Sequence, residues 1–363
     1  MIKKKINETN KKERNRSVSI ILLLCAAWLV VFFVSFALGR YAVPVPQVIQ
    51  ILFHEMIELI AKVPFLGWLD DLICIPVTWT AKMESVVIMI RLPRILMACL
   101  VGGCLAAAGA AYQGVFQNPM ASPDILGASN GAAFGAALAI LLGSSLSVVT
   151  GTAFVMSMLT ILIVFLVAHF APGQKIVNLI LAGIMTSSLF SAGTSYIKLV
   201  ADPDDQLPAI TYWMMGSLSG AELSDVAFVI VPMAIGLIPL LLLRWQINLL
   251  TLGDEEARAL GVNTNVIRLV VIACATLVTA ASVSVSGMIG WVGLVIPHLC
   301  RKMVGSNYRY LMPASVVCGA VFLLLVDNVS RNLLAVEIPI GILTAFVGAP
   351  FFIYLILHKE KYE

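Results

Sequence analysis

The sequence predicts an all-α polytopic membrane protein with about ten transmembrane helices, which we expect to form two inverted five-helix halves. Of the 363 residues, 60% are hydrophobic and only 12% are charged, whereas soluble domains carry roughly 25% charged residues. Apolar runs recur along the chain, and a helix needs about 20 mostly apolar residues to cross a bilayer. Charged residues gather in the segments between these runs.

Ten apolar segments account for the predicted crossings. The clearest seven are residues 18–38, 95–111, 148–168, 226–243, 266–285, 310–326 and 340–357. Three less uniform segments complete the count: 127–142, 176–200 and 286–299. The last is short and interrupted by Gly and Pro, so a re-entrant segment is the alternative there.

The first crossing follows a basic tail at residues 1–17, beginning MIKKKINETNKKERNR. This tail is too long and too charged for an ordinary signal peptide, so we treat residues 18–363 as one transmembrane domain. Its lysines and arginines favour a cytoplasmic N-terminus, and an even number of crossings then places the C-terminus there too. We therefore expect a multi-pass protein of the cell membrane.

Small residues mark the third crossing as a tightly packed helix. Gly127, Gly131 and Gly135 repeat every four residues and so share one helix face. Because glycine lets neighbouring backbones approach closely, this face is predicted to pack against another helix.

Residues 41–85 do not read as a clean span and are predicted to form an extended external segment. Within it, residues 48–63 place apolar side chains at helical spacing among charged ones. This pattern indicates an amphipathic helix, lying either in the membrane interface or packed on the outer face.

A weak internal repeat supports the inverted halves. RLPRILMAC at 91–99 and RLVVIAC at 268–274 begin the second and seventh predicted crossings. Helices five crossings apart run in opposite directions, as in inverted-repeat transporters. Chance agreement of so short a match is the alternative.

No catalytic or metal-binding constellation is visible in the sequence. The four histidines are far apart, the cysteines lack zinc spacing, and no GxxxxGK[ST] loop occurs, so we expect neither an enzyme nor an ATPase. The net charge of +3 gives no basis for nucleic-acid binding. Asp327 is the one acidic residue that looks membrane-embedded. With Arg331 one turn later, an ion pair is the simpler interpretation and a proton relay the alternative.

Two arginines at the outer end of the second crossing run against the positive-inside trend. Arg91 and Arg94 flank a proline there. They could reach lipid phosphates, or they could receive the carboxylates of an acidic partner.

Residues 251–265, TLGDEEARALGVNTN, concentrate charge between two apolar runs on the predicted cytoplasmic side. Gly253 or Asp254 can cap a helix, Glu255 and Glu256 suit its first turn, and Gly261 suits a left-handed stop. A helix at residues 254–260 is too short to be stable alone in water. Either the membrane domain or another protein must hold it.

The motifs resemble the permease subunits of type II ATP-binding-cassette importers for iron-siderophores, haem and vitamin B12. The resemblance runs from residue 91 to 357. Its pieces are RLPR at 91–94, QNPMASPDILGASNGA at 117–132, LAG at 181–183, YWMMGS at 212–217, LGDEEARALGV at 252–262, GWVGLVIPHLCR at 290–301, DNVSR at 327–331 and EIPIGILTAFVGAPFF at 337–352. Residues 41–85 depart from it, being longer than the family usually has.

The resemblance implies roles for particular residues. The segment that matches the family's coupling helix, which inserts into the ATPase, is Asp254, Glu255, Glu256, Ala257, Arg258, Ala259, Leu260 and Gly261. In the vitamin B12 members, arginines matching Arg91, Arg94 and Arg331 pair with glutamates of the external binding protein. The loop matching Asn118, Pro119 and Met120 lies at the cytoplasmic gate.

The resemblance also implies an assembly. A second permease subunit, identical or similar, two cytoplasmic ATPase subunits that bind ATP and Mg, and one extracytoplasmic binding protein would join this chain, which itself binds no cofactor. We expect an iron-siderophore complex as the transported ligand, with haem or a corrinoid as alternatives. An ion-coupled carrier that works alone is the competing hypothesis from another class.

Overall fold

The chain folds almost entirely into helices. The computed structural model describes residues 2–61 and 77–357, and within these it has fourteen helices and no strand. In chain order they are α1 (Ile2–Ala37), α2 (Val45–Ala61), α3 (Ala81–Val115), α4 (Ala128–Leu141), α5 (Leu146–Phe170), α6 (Lys175–Val200), α7 (Gln206–Met214), α8 (Leu223–Leu242), α9 (Arg244–Leu250), α10 (Asp254–Ala259), α11 (Thr264–Ser286), α12 (Val292–Val304), α13 (Tyr308–Asn332) and α14 (Ile340–Leu357). The predicted C-terminal tail, 358–363, and the middle of the predicted external segment, 62–76, lie outside the described residues.

Ten of these helices correspond to the ten predicted crossings. Seven are long and apolar enough to span a membrane: α1 from Arg14, α3, α5, α6, α8, α11 and α13. The shorter apolar helices α4 and α14, together with the 13-residue α12, complete the set. The predicted all-α fold of about ten crossings is confirmed.

Hydrogen bonds between distant loops show which loops share an end of the bundle. At the end where α1 begins its span, the Ser17 hydroxyl donates to the carbonyl of Val304, and the Gln117 amide donates to that of Leu250. We call this end the N-terminal face. At the other end, here called the far face, the Arg40 guanidinium donates to the carbonyl of Leu334.

The centre of the bundle is α3, most of whose residues are buried. Glycines allow its close approach to two neighbours. A Cβ added at Gly102 would lie 2.7 Å from Cβ of Leu323 on α13, and one added at Gly109 would overlap the backbone of Gly293 on α12. Such contacts give van der Waals packing between helices that lipid cannot replace.

α3 starts earlier than the sequence predicts. It extends beyond the predicted crossing at 95–111 to Ala81, so residues 81–85 belong to α3 rather than to the external segment. Its outer part contains one π-helical turn, Val86–Arg91. The predicted amphipathic helix is confirmed as α2, which packs on residues 77–80 through the hydrogen bond from Thr78 to Gln50.

The two halves repeat one pattern in opposite directions. In the first, α3 leads through an irregular loop to the short α4 and the long α5; in the second, α11 leads through another to α12 and α13. Each loop holds a non-glycine residue with positive φ, Gln117 at 49° and Trp291 at 70°. Each short helix packs against the other half's opening helix, α4 on α11 and α12 on α3. The inverted arrangement follows from this exchange.

Candidate functional site

The charged segment on the N-terminal face forms a two-turn helix, α10, bounded by glycines. Gly253 precedes it with φ 122°, and Gly261 follows it with φ 82°. Both values suit glycine because a Cβ would be strained there. The helix predicted at 254–260 ends at Ala259, and Leu260 serves as its C-cap.

An ion pair anchors the start of α10 to a membrane-spanning helix. The Asp254 carboxylate accepts from both terminal nitrogens of Arg268 on α11, at 2.6 and 3.3 Å. Arg268 is buried, while the Asp254 side chain is 40% exposed. The hydrogen bond from Arg268 lowers the pKa of Asp254, against a smaller opposing effect of burial, and the positive charges of Arg268 and Arg258 lower it further. Asp254 is therefore ionised at neutral pH.

The inner side of α10 is held by the membrane domain in two further places. Ala257 is fully buried, and its carbonyl accepts from the Val262 amide at 3.1 Å. Arg258 donates from Nε to the hydroxyl of Thr264 at 3.2 Å. The support that so short a helix requires therefore comes, on this side, from α11 and the turn before it.

The outer side of α10 carries exposed acidic and apolar groups together. Glu255, Glu256 and Ala259 are exposed. Leu252 and Leu260 are each 58% exposed and stand on either side of the helix. Exposed leucines beside paired acids suit contact with another protein better than contact with water. Leu252 lies just before the predicted site and was not among its residues.

The predicted gate loop lies beside this helix. Asn118, Pro119 and Met120 are exposed on the N-terminal face, and the Asn118 side chain accepts from the Met120 amide at 2.9 Å. The preceding residue, Gln117, donates to the carbonyl of Leu250 at 2.7 Å, at the end of α9. The loop, α9 and α10 thus form one connected surface. No sequence signal indicates Gln117, because its partner lies in the other half.

The three predicted packing glycines do not all act on one neighbour. A Cβ at Gly131 would lie 2.8 Å from the carbonyl oxygen of Met156 on α5, and one at Gly135 would lie 2.9 Å from that residue's Cβ. Gly127 instead precedes α4 with φ 81°, and its Cβ would lie 3.3 Å from the carbonyl oxygen of Gly183 on α6. The glycines therefore fit α4 between α5 and α6.

The three predicted docking arginines are buried at the far face. Arg91, Arg94 and Arg331 are only 3%, 7% and 7% exposed. Arg91 donates to the carbonyls of Phe36 and Tyr41, which close the far-face end of α1 over it. The chain's own backbone and carboxylates therefore surround these guanidinium groups, and their docking role stays a prediction.

Two carboxylates pair with the other arginines. Arg94 donates from Nε to Asp327 at 2.8 Å and from Nη1 to both oxygens of Glu337 at 2.9 Å. Arg331 pairs with the other Asp327 oxygen at 3.5 Å, which confirms the predicted i to i+4 ion pair. Arg40, exposed at the rim, donates to the carbonyl of Arg331. This arginine cluster joins α1, α3, α13 and the loop before α14.

One group of described residues could hold a metal ion. His54, Glu55 and Glu58 on α2 place one ligand atom each within 4.8 Å of one another. All three are half-buried, and the His54 ring packs edge-on against Trp79 at 5.6 Å between centroids. No metal site is predicted there from the sequence, in which these residues indicate the polar face of an amphipathic helix.

Known proteins match this chain along nearly its whole length. Residues 26–358 match the FecCD transport family. The chain is 39% identical over 328 residues to the molybdate import system permease protein MolB of Haemophilus influenzae, covering 90% of this chain and 92% of that protein. It is 38% identical over 282 residues to the Fe(3+)-citrate import system permease protein YfmE of Bacillus subtilis, covering 77% and 84%. A solved structure of a metal-chelate type ABC transporter, in an inward-facing conformation, superposes on this chain with a TM-score of 0.80 at 36% identity. The superposition covers 93% of this chain and 99% of that one.

Proposed function

The chain belongs to the FecCD transport family and is a permease of an ATP-binding-cassette importer; on that premise, we propose that it forms the translocation pathway for an iron-siderophore complex. An extracytoplasmic binding protein delivers this ligand, and ATP hydrolysis on a separate subunit drives its passage. The chain itself supplies no ATPase site, in keeping with the missing GxxxxGK[ST] loop.

The arrangement of α10 carries the proposal. Its inner side is fixed to α11 by the Asp254–Arg268 pair, and its outer side presents Glu255 and Glu256 between exposed leucines. A rigid connection on one side and an unpartnered surface on the other suit a helix that receives force from another protein. We therefore assign the coupling role to residues 254–261, with Leu252 added to the contact.

The gate assignment rests on the same surface. Because Gln117 bonds the end of α9, a displacement of α9 and α10 reaches the loop at Asn118, Pro119 and Met120 directly. We propose that this loop opens and closes the pathway on the N-terminal face.

The assembly follows the family. We propose a second permease subunit, identical or similar, two ATPase subunits that bind ATP and Mg, and one binding protein. The N-terminal face is then cytoplasmic and lies at the inner side of the cell membrane. The basic residues of that face agree with this orientation.

The binding protein is proposed to dock on the far face. The arginine cluster contains four arginines, Arg40 and Arg91 included, and two carboxylates, Asp327 and Glu337, which leaves two positive charges in excess. Such a surface suits an acidic partner. Arg91, Arg94 and Arg331 then shape the docking surface, and a partner carboxylate that displaces Glu337 from Arg94 would contact one of them directly.

The ligand is the least constrained part of the proposal. Iron-siderophore is favoured because one relative is named for Fe(3+)-citrate import and the solved neighbour is of metal-chelate type. Haem and corrinoid remain alternatives, and the relative named for molybdate import adds a fourth. Thermal-shift screening of the cognate binding protein against a ferric siderophore, haem, cobalamin and molybdate separates them; stabilisation by molybdate alone would contradict our choice.

The ion-coupled carrier is not supported. Asp327, its only candidate for a proton relay, is fully buried between Arg94 and Arg331. Its pairing with two arginines gives Asp327 a structural role in joining α3 to α13, so a transport role is not needed to explain its burial.

Charge reversal on α10 tests the coupling role. In E255K/E256K, we expect loss of the cognate ATPase subunit from the purified complex and loss of ligand-stimulated ATP hydrolysis, with the permease still folded. The matched control is D204K/D205K, which reverses two exposed acids on the far face, and it should retain the ATPase. Retention of the ATPase by E255K/E256K would refute the assignment.

A further inference from the structure

Two adjoining cavities lie on the N-terminal face, where α1 passes the turn between α12 and α13. The larger has a volume of about 670 Å³ and the smaller about 280 Å³. Arg14 and Tyr310 line both. Because these two side chains are shared, the cavities are direct neighbours and can receive two parts of one ligand.

The larger cavity is strongly positive. Arg14, Arg16, Arg301 and Lys302 line it, and none of the described residues that line either cavity is acidic. Within the described part of the chain, Arg14, Arg16 and Lys302 make no hydrogen bond or ion pair. Unlike the arginine cluster of the far face, this concentration of charge has no carboxylate to balance it among the described residues that line the cavities.

One of these cations, Arg301, has a buried hydrogen-bond donor without a partner. Arg301 donates weakly from Nη2 to the hydroxyl of Tyr308, at 3.4 Å, while its Nη1 is buried and has no acceptor among the described residues. A buried guanidinium nitrogen left without an acceptor is costly. An anionic oxygen in the larger cavity would remove that cost.

The backbone adds to the attraction for an anion. The first turn of the 25-residue helix α13 lies at the cavity, where Asn307 caps it by accepting from the Arg309 amide at 2.9 Å. The positive end of its dipole thus lies beside the four cations. The Ser17 hydroxyl, bonded to the carbonyl of Val304, holds α1 against this turn.

The smaller cavity is apolar along the side of the bundle that lipid would cover. Val18, Ile21 and Leu22 on α1 face Pro313 on α13. Arg244 and Arg309 stand at its upper edge. A cationic pocket at the end of a membrane bundle therefore adjoins a cavity with an apolar wall formed by α1 and α13.

We propose that this site binds one anionic glycerophospholipid. Its phosphate headgroup occupies the larger cavity among Arg14, Arg301 and Lys302, and its acyl chains lie along Val18 and Leu22. Basic pockets between transmembrane helices on the cytoplasmic side suit anionic headgroups, and guanidinium groups bind phosphate in a bidentate manner. A free phosphate ion offers the same headgroup chemistry but leaves the apolar wall uncovered.

Native mass spectrometry of the full-length chain in detergent tests the site. Phosphatidylglycerol and phosphatidylcholine with identical acyl chains are the probes, and we expect phosphatidylglycerol to be retained at about tenfold lower concentration. Inorganic phosphate and glycerophosphoglycerol should not displace it. Equal retention of the two lipids, or displacement by either soluble phosphate, would refute a lipid site.

Neutralising two of the cations tests whether this cavity causes the preference for phosphatidylglycerol. R14Q/K302Q removes two side chains that make no described hydrogen bond or ion pair, so folding should be unaffected. We expect this variant to retain phosphatidylglycerol and phosphatidylcholine at about equal concentrations. The matched control, K82Q/K198Q, removes the same charge from the far face and should keep the preference. An unchanged preference in R14Q/K302Q would overturn the proposal. If R14Q/K302Q lost the ATPase subunit but still preferred phosphatidylglycerol, the cavity would instead be a contact site for the ATPase.

Discussion

Arg94 on the far face and Arg268 on the N-terminal face are both buried, and their surroundings differ sharply. Arg94 on α3 meets two carboxylates, one of them fully buried. Arg268, near the start of α11, meets one carboxylate that is 40% exposed. Both arginines are buried, so the difference lies in the partner. A closed network fixes the far face, whereas a half-open pair leaves the N-terminal face able to connect to something outside the chain.

The comparison separates charges that hold the fold from charges that face a partner. Removing one member of a buried pair leaves the other without compensation, which costs about 3–5 kcal/mol. An exposed pair is worth about 0–1 kcal/mol, because water and salt screen it. The two arginines should therefore respond very differently to substitution.

Arg94→Ala should have the largest effect. It leaves Asp327 buried beside Arg331 alone and removes both bonds to Glu337, so we expect a loss of about 3–5 kcal/mol in the free energy of unfolding. Thermal unfolding of the purified chain in detergent measures it. The exposed Arg40→Ala serves as control and should change little. An R94A variant as stable as the native chain would show that the far-face network is not structural.

Arg268→Ala should cost less, because Asp254 can reach water once its partner is gone. We expect about 1 kcal/mol, with a clear loss of protection of α10. Limited proteolysis at residues 251–263 measures that loss. Equal destabilisation by R94A and R268A would show that the ion pairs of the two faces contribute equally to the stability of the fold.

The Asp254–Arg268 pair makes the stability of α10 depend on pH. The depressed pKa of Asp254 means that its pair with Arg268 stabilises α10 at pH values above the ordinary carboxyl pKa of about 3.9. This contribution is lost as the pH falls through the lower pKa of the folded state. Pepsin cleavage of the segment should thus be slower in the native chain than in D254N at pH 5, and the difference should shrink as the pH is lowered towards 2. A constant ratio would exclude the pair as the cause.

Arg258→Ala should have the smallest effect on stability. Its one described hydrogen bond, to Thr264, is only partly buried and the Arg258 side chain is exposed, so we expect a change within about 0.5 kcal/mol. Thermal unfolding measures it, and a shift as large as that of R268A would mean that the inner side of α10 depends on both arginines.

Local patterns in the sequence predicted a good part of this molecule. The span lengths, the two glycines that bound α10, and the Asp327–Arg331 pair all depend on residues within a few positions of each other. The burial of Arg94 does not, since its carboxylates come from 233 and 243 positions further along the chain. An arginine at a membrane boundary looks the same in sequence whether it faces water or a distant carboxylate. Gln117 was missed for the same reason, because its acceptor lies 133 positions away.

The π turn at Val86–Arg91 lets α3 take up one extra residue near the far face. A π turn holds one residue more than the α-helical turn it replaces. Because the wider turn absorbs that residue, deleting one residue there would restore a regular helix while the segments on both sides kept nearly the same rotational phase about the axis of α3. The segment that carries α2 would stay on the same side of the bundle. In evolutionary terms, this part of the helix can gain or lose one codon without redirecting the segment before it.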